Sequence, residues 1–194
     1  MKEKILKAFK ESISIKERFV NENLDTLSEV SQLLADAFSK DGKLILFGNG
    51  GSSTDASHIA AEFIGRFKKE RPPLPAIALN TDTAVLTCIA NDYDFSQVFA
   101  RQIKALAREN DVVIAISTSG NSANVIKAVE AAKKKKLKTV AFTGEKGDKL
   151  ASKTDYVFAV PSVNTARIQE THITIGHVLC QMVEELLFET HRRK

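Results

Sequence analysis

The sequence predicts an α/β fold: a five-stranded parallel sheet flanked by helices. Five short apolar runs recur along the chain, at Leu44–Phe47, Ala76–Leu79, Val112–Ile116, Thr139–Phe142 and Tyr156–Val160. Stretches with helical apolar spacing separate them, and the first and third runs lead into loops rich in glycine, serine and asparagine. Strands alternating with helices imply crossover connections, hence a parallel sheet covered on both faces.

The first forty residues read as helix. Ile5, Phe9 and Ile13 recur every four residues, and Leu27, Val30, Leu34, Ala37 and Phe38 form a second stripe. A break is expected between the stripes, at Asn21–Asp25. Residues 1–40 therefore form a helical N-terminal extension, which can pack on a neighbouring subunit or on its own core. Residues 41–194 form the α/β core, and 1–194 reads as a single domain. The helix after the first strand carries Ala56, Ile59, Ala60, Phe63 and Phe67. The helix after the third carries Val125, Ile126, Val129 and Ala132. A long helix from about Arg167 to Glu189 closes the chain. Lys133–Lys136 fits a solvated helix end, where the dipole favours cations.

The chain has 194 residues, a length that suits one domain with a sizeable core. Hydrophobic residues make up 43% and charged residues 27%, a balance that excludes disorder. The net charge of +4 suits a small anionic substrate and is too weak to indicate nucleic acid. Cys88 and Cys180 form no close pair, so a disulfide framework is not expected and a reducing cytoplasm is. The charged start has no signal-peptide character, and no apolar run approaches the ~20 residues that cross a bilayer. A cytoplasmic protein with no membrane partner is expected.

Several groups could carry chemistry. Gly48-Asn49-Gly50-Gly51-Ser52-Ser53 joins a strand to a helix, and a tight turn and a ligand loop both fit it. It matches neither G-x-G-x-x-G nor Walker A, so nucleotide binding is unsupported. Ser117-Thr118-Ser119-Gly120-Asn121-Ser122 follows the third strand, at the end where open α/β sheets bind ligands. One hydroxyl is expected as a helix cap, but four exceed that need and suit a phosphate or sugar. His58 and Glu62, four apart, share a polar helix face with Asp55 and Arg66. That spacing lets an imidazole and a carboxylate hold one metal or share a proton, and it also fits an ordinary wet face. Gln169, His172 and His177 lie on the last helix, where Gly176 hints at close approach by another element. Asn91-Asp92 fits a turn after the helical stretch Thr83–Ala90.

The segments GNGGSS, HIAAEFIGRF, ALNTDTAVLTCIAND, ISTSGNSANVIKA and RIQETHITIGHVL, in this order, resemble the phosphoheptose isomerases. The resemblance runs from about Leu27 onward. The hydroxyl loop alone would mark the broader sugar-isomerase (SIS) superfamily, and its combination with His58-x-x-x-Glu62 and Gln169 to His177 is narrower. The resemblance implies an SIS fold. It implies conversion of sedoheptulose 7-phosphate to D-glycero-D-manno-heptose 7-phosphate through an enediol, in nucleotide-activated heptose and lipopolysaccharide synthesis. It implies one zinc per subunit, held by His58, Glu62, Gln169 and His177, with Glu62 and His177 as the acid/base pair. Substrate contacts fall on Asn49, Gly50, Gly51, Glu62, Asn91, Asp92, Ser117, Thr118, Ser119, Ser122 and Gln169. The implied assembly is a homotetramer with sites near subunit interfaces.

This chain has Ala166 where some members carry Asp, which removes any polar role at that position. A non-catalytic SIS relative, associated with the bacterial replication initiator, shares stretches like ALNTDTAVLTCIAND and TARIQE. Glu62 and His177 favour an enzyme over that binding role. An isomerase of arabinose 5-phosphate or a hexose phosphate is the other reading, and the zinc-type set favours heptose over it.

Overall fold

The computed structural model describes residues 1–189. Helix α1 (Lys2–Ser39) precedes β1 (Leu44–Gly48), α2 (Gly51–Ile64), β2 (Ala76–Ala78), α3 (Thr83–Asp92) and a short 3₁₀ turn at Phe95–Gln97. Then follow α4 (Val98–Leu106), β3 (Val112–Ser117), α5 (Ala123–Lys134), β4 (Lys138–Gly144), α6 (Asp148–Ala151), β5 (Tyr156–Val160) and α7 (Thr165–Phe188). All five strands pair in parallel, in the order β2-β1-β3-β4-β5.

Alternate strand residues face opposite sides, so the sheet divides the core in two. Leu44, Leu46, Ile114, Ile116, Val140 and Phe142 pack with α1, α2 and α7. Ile45, Phe47, Val113, Ala115 and Ala141 pack with α4 and α5. With both faces covered, β1 and β3 are buried throughout, which is why they read as unbroken apolar runs.

Three local expectations change. The break at Asn21–Asp25 is absent, and α1 runs unbroken through it. No Gly or Pro interrupts this stretch, and the Asn23 side chain is satisfied by donating to the Phe19 carbonyl at 2.9 Å. Helix α2 stops at Ile64, so Phe67 lies beyond it in a loop; Gly65 occupies the C-cap. Asn91 and Asp92 form the last turn of α3 rather than a loop.

Helix α1 has two characters. From Phe19 onward it packs on its own core, with Phe19 edge-on to Phe158 at 6.0 Å between ring centres. Its first half is open, and Ile5, Phe9 and Ile13 are each more than half exposed.

The contact that positions the functional side chains is between α2 and α7. Gly176 lets them approach: a Cβ there would lie 2.5 Å from Ile59 Cδ1. Gly176→Val should therefore cost ~1–3 kcal/mol through overpacking, more than any gain in helix propensity. Urea denaturation measures this, and an unchanged midpoint would show that the two helices have room to spare.

Candidate active site

Strand β1 leads to β2 on one side of the sheet, and β3 leads on to β4 and β5 on the other. The connections diverge between β1 and β3, and the crevice at their C-terminal ends is where such sheets place ligands. Both predicted loops lie there. Asn49 follows β1 and Asn124 opens α5, and their side-chain amides exchange two hydrogen bonds of 2.9 Å. Each amide gives one N–H and takes one in return, so the pair ties the two loops together.

The hydroxyl loop is shaped by its glycine. Gly120 has φ of 62°, and a Cβ there would meet the Gly147 backbone at 2.4 Å. Ser117 Oγ lies 3.1 Å from Ser122 Oγ, so the Ser122 hydroxyl turns toward the loop and does not cap α5. Ser119 is exposed, and its hydroxyl accepts from the Asn121 amide at 3.2 Å. Thr118 is half-buried and its carbonyl accepts from the Gly144 amide, joining the loop to β4. Gly50 and Gly51 are exposed at the start of α2.

Along the α2–α7 seam three ligand-type side chains converge. His58 Nε2 lies 3.1 Å from Glu62 Oε1, and His177 Nε2 lies 3.5 Å from His58 Nε2. All three ligand atoms fall within 4.8 Å of one another. Two imidazole nitrogens and a carboxylate oxygen this close together form a donor set of the kind that holds a divalent metal ion such as Zn²⁺. The Phe67 ring lies 5.4 Å from that of His177 and walls off one side.

Gln169 lies two turns before His177 on α7, about 12 Å along the axis. A Cβ on Gly51 would meet its Nε2 at 2.4 Å, so the amide lies over the start of α2. Gln169 thus sits at the loop end of the seam and the three converging groups farther along it. Asn91 and Asp92 are exposed, with Asn91 Nδ2 donating to Asp92 Oδ1 at 2.9 Å. Among the described residues, no hydrogen bond or ring contact joins them to His58, Glu62 or His177 within this chain.

Asn124, Arg71 and Glu184 were not singled out from the sequence. Arg71 and Glu184 form a buried ion pair, Nε to Oε1 at 2.8 Å, at the far end of the seam. Burial alone would raise the Glu184 carboxyl. The Lys68, Phe67 and Lys69 amides and the Arg71 guanidinium instead hold it below the usual carboxylate range. Glu184 follows His177 by seven residues, and a carboxylate on a mostly apolar helix face was the available signal.

A family model described as SIS domain matches residues 9–144. The chain is therefore an SIS-domain protein. A phosphoheptose isomerase of Thermodesulfovibrio yellowstonii is 62% identical over 189 residues, covering 97% of this chain and 94% of the relative. One of Aquifex aeolicus is 52% identical, covering 97% of this chain and 99% of the relative. The structure of a phosphoheptose isomerase from Neisseria gonorrhoeae superposes with a TM-score of 0.89 at 42% identity, over 95% of this chain and 98% of that one. The chain belongs to the phosphoheptose isomerase family.

Two groups, one buried and one half-buried, make stability depend on pH in opposite directions. His172 is buried against Phe142, with Nε2 3.1 Å from the Thr143 carbonyl, and burial pushes its imidazole down from 6.5 to about 4. Between those values the unfolded chain takes up a proton that the native chain refuses, so stability falls as pH falls. Burial pushes the half-buried Asp55 carboxyl up from 3.8 to about 6, against the pull of His58. There the native chain takes up the proton first, so stability rises as pH falls. The two displacements are similar in size and opposite in sign, so between about pH 4 and 6 they largely cancel in the wild type. Each shows when the other is removed, as a change in unfolding free energy of at most ~1.4 kcal/mol per pH unit. Urea denaturation of Asp55→Asn should show stability falling as pH falls from 6 to 4, and His172→Gln should show it rising. The same pH dependence in both variants would contradict the assignment.

Proposed function

We propose that this chain interconverts sedoheptulose 7-phosphate and D-glycero-D-manno-heptose 7-phosphate as an aldose–ketose isomerase serving nucleotide-activated heptose synthesis, with lipopolysaccharide its destination. The observation that carries the reading is the convergence of His58, Glu62 and His177 in a chain 62% identical to a phosphoheptose isomerase.

Moving a carbonyl between C2 and C1 requires taking a proton from carbon beside a carbonyl. The charge that develops falls on oxygen, in an enediol. Such a site needs a base near carbon, an acid near oxygen and positive charge close by. Glu62 and His177 are the acid/base pair, and they stand on different helices, so a substrate between them meets both. His58, Glu62 and His177 would hold one zinc per subunit; Gln169, the fourth ligand of the family pattern, lies over Gly51 nearer the loops and would have to turn toward them to join. When bound, the metal supplies Lewis-acid polarisation of the carbonyl.

The rest of the sugar is held at the crevice. Ser117, Thr118, Ser119 and Ser122 bind the phosphate through hydroxyls and backbone amides. Asn49, Gly50 and Gly51 line the facing loop, and Gln169 lies over it, which supports a sugar contact as well. Anchoring the phosphate far from the reacting carbons fixes those carbons against Glu62 and His177.

Asn91 and Asp92 join a substrate site in the assembly rather than through contacts within this chain. The assembly is a homotetramer with sites near subunit interfaces, and residues 1–40 pack in it as an extension of the single SIS domain. The exposed Ile5, Phe9 and Ile13 support this, as does an apolar groove of about 590 Å³ that includes Val20, Leu24, Val178 and Met182. No helix among the described residues is long and apolar enough to cross a membrane, and we place the protein in the cytoplasm. The initiator-binding alternative is not favoured, because Glu62 and His177 are present and convergent and the relatives compared carry the isomerase name.

Glu62→Gln and His177→Gln should each fold and lose at least ~10²-fold in turnover, the scale of acid–base groups. Steady-state kinetics on sedoheptulose 7-phosphate checks this, and near wild-type rates in either variant place the chemistry elsewhere. Ser119→Ala should mainly raise KM, because it trims binding common to ground and transition states. A fall in kcat alone would give that hydroxyl a chemical role.

A further inference from the structure

We propose that Arg71 and Glu184 are a positioning pair that sets Glu62 against His177, and so governs both turnover and the grip on a divalent cation. The proposal rests on the reading of Glu62 and His177 given above and adds the residues that aim them.

Both side chains are nearly sealed from solvent, at 1% and 2% exposure. A buried ion pair is weak evidence for stability, since an apolar pair of similar size often serves equally well. What distinguishes this one is where its remaining bonds go. Arg71 Nη2 donates to the Glu62 carbonyl at 2.9 Å, and Nη1 donates to the Phe63 carbonyl at 2.8 Å. These carbonyls belong to the last turn of α2, where no intrahelical donor remains for them; the Phe63 carbonyl also accepts from the Leu74 amide at 3.0 Å, so the contact particular to Arg71 is the one to the Glu62 carbonyl. The guanidinium therefore holds the turn that carries Glu62.

Glu184 holds the other half. Its Oε1 accepts from the Phe67 amide at 3.0 Å, and its Oε2 accepts from the Lys68 and Lys69 amides at 3.0 and 3.3 Å. Three consecutive amides on one carboxylate fix the loop after α2, and that loop presents the Phe67 ring to His177. Glu184 stands on α7 two turns beyond His177, on much the same face. One ion pair is thus bonded to the backbone of Glu62 and to the segment that covers His177. An acid–base pair on separate helices needs such a link, because a misplacement of ~1 Å can cost ~10²-fold in rate.

Arg71→Lys keeps the charge beside Glu184 but cannot reach every carbonyl, and Glu184→Gln keeps the shape but points a donor at backbone amides. Three quantities are measured on the full chain: melting temperature, kcat and KM on sedoheptulose 7-phosphate, and zinc affinity by competition with a chromogenic chelator. Each folded variant should lose about 10–100-fold in zinc affinity and in kcat, as supporting contacts around metal ligands do. KM should stay near wild type, because the hydroxyl loop is untouched. The losses should persist well below each variant's own melting temperature, which a purely structural role would not produce.

A folded variant with wild-type zinc affinity and kcat overturns the proposal. If Glu184→Gln does not fold, Arg71→Lys decides. If neither folds, the double variant Arg71→Met with Glu184→Met decides: it replaces the buried ion pair by an apolar pair of similar size, and the proposal requires weaker zinc binding and lower kcat in it. Glu62→Gln separates the two levels. Near wild-type turnover there defeats the site reading itself, whereas an inactive Glu62→Gln beside a fully active Arg71→Lys defeats only the positioning role.

Discussion

The close contact between α2 and α7 at Ile59 and Gly176 is the constraint on which the site depends. A Cβ at 176 would lie 2.5 Å from Ile59 Cδ1, so any larger residue there must push the Ile59 side chain aside. With the helices that close, side chains on adjoining faces reach one another. His58 and Glu62 precede and follow Ile59, and His177 follows Gly176, so the three converge beside the contact. At one end of the seam Gln169 lies over Gly51, and at the other Arg71 and Glu184 close it. The seam thus runs from the glycine-rich and hydroxyl loops to the ion pair, with His58, Glu62 and His177 between.

The sheet supplies the second constraint. Its connections diverge between β1 and β3, which brings the glycine-rich loop beside the hydroxyl loop. The Asn49–Asn124 amide pair locks that arrangement with two reciprocal bonds. A phosphate bound there is fixed relative to α2, because α2 grows directly out of the first loop. In the function proposed above, affinity for the anionic end of the substrate and alignment of its reacting end would therefore come from one unit.

Much of this was legible in the sequence because burial leaves a local trace. Strands covered on both faces read as apolar runs, and all five runs are strands. His58 and Glu62 could be paired because four residues make one helical turn, and Gly176 could be suspected because a glycine amid apolar helix residues needs a reason. The rest depended on contacts distant in sequence. Nothing near Arg71 reveals that it caps α2 while paired with Glu184, and nothing near Asn124 reveals Asn49. The expected break at Asn21–Asp25 failed because weak helix formers are tolerated where neither Gly nor Pro intervenes and packing holds the flanks. Phe67 fitted the apolar period of α2, yet Gly65 ends the helix and Glu184 takes the following amides.

In the function proposed above, α2 and α7 together build one metal-binding, proton-transferring centre. Anomalous diffraction at the zinc absorption edge, from crystals of the full chain grown with zinc, tests it most directly. A single strong peak per chain is expected, bonded to His58 Nε2, His177 Nε2 and Glu62 Oε1. A peak elsewhere, or imidazoles and carboxylate turned away from a common point in metal-loaded crystals, would contradict it.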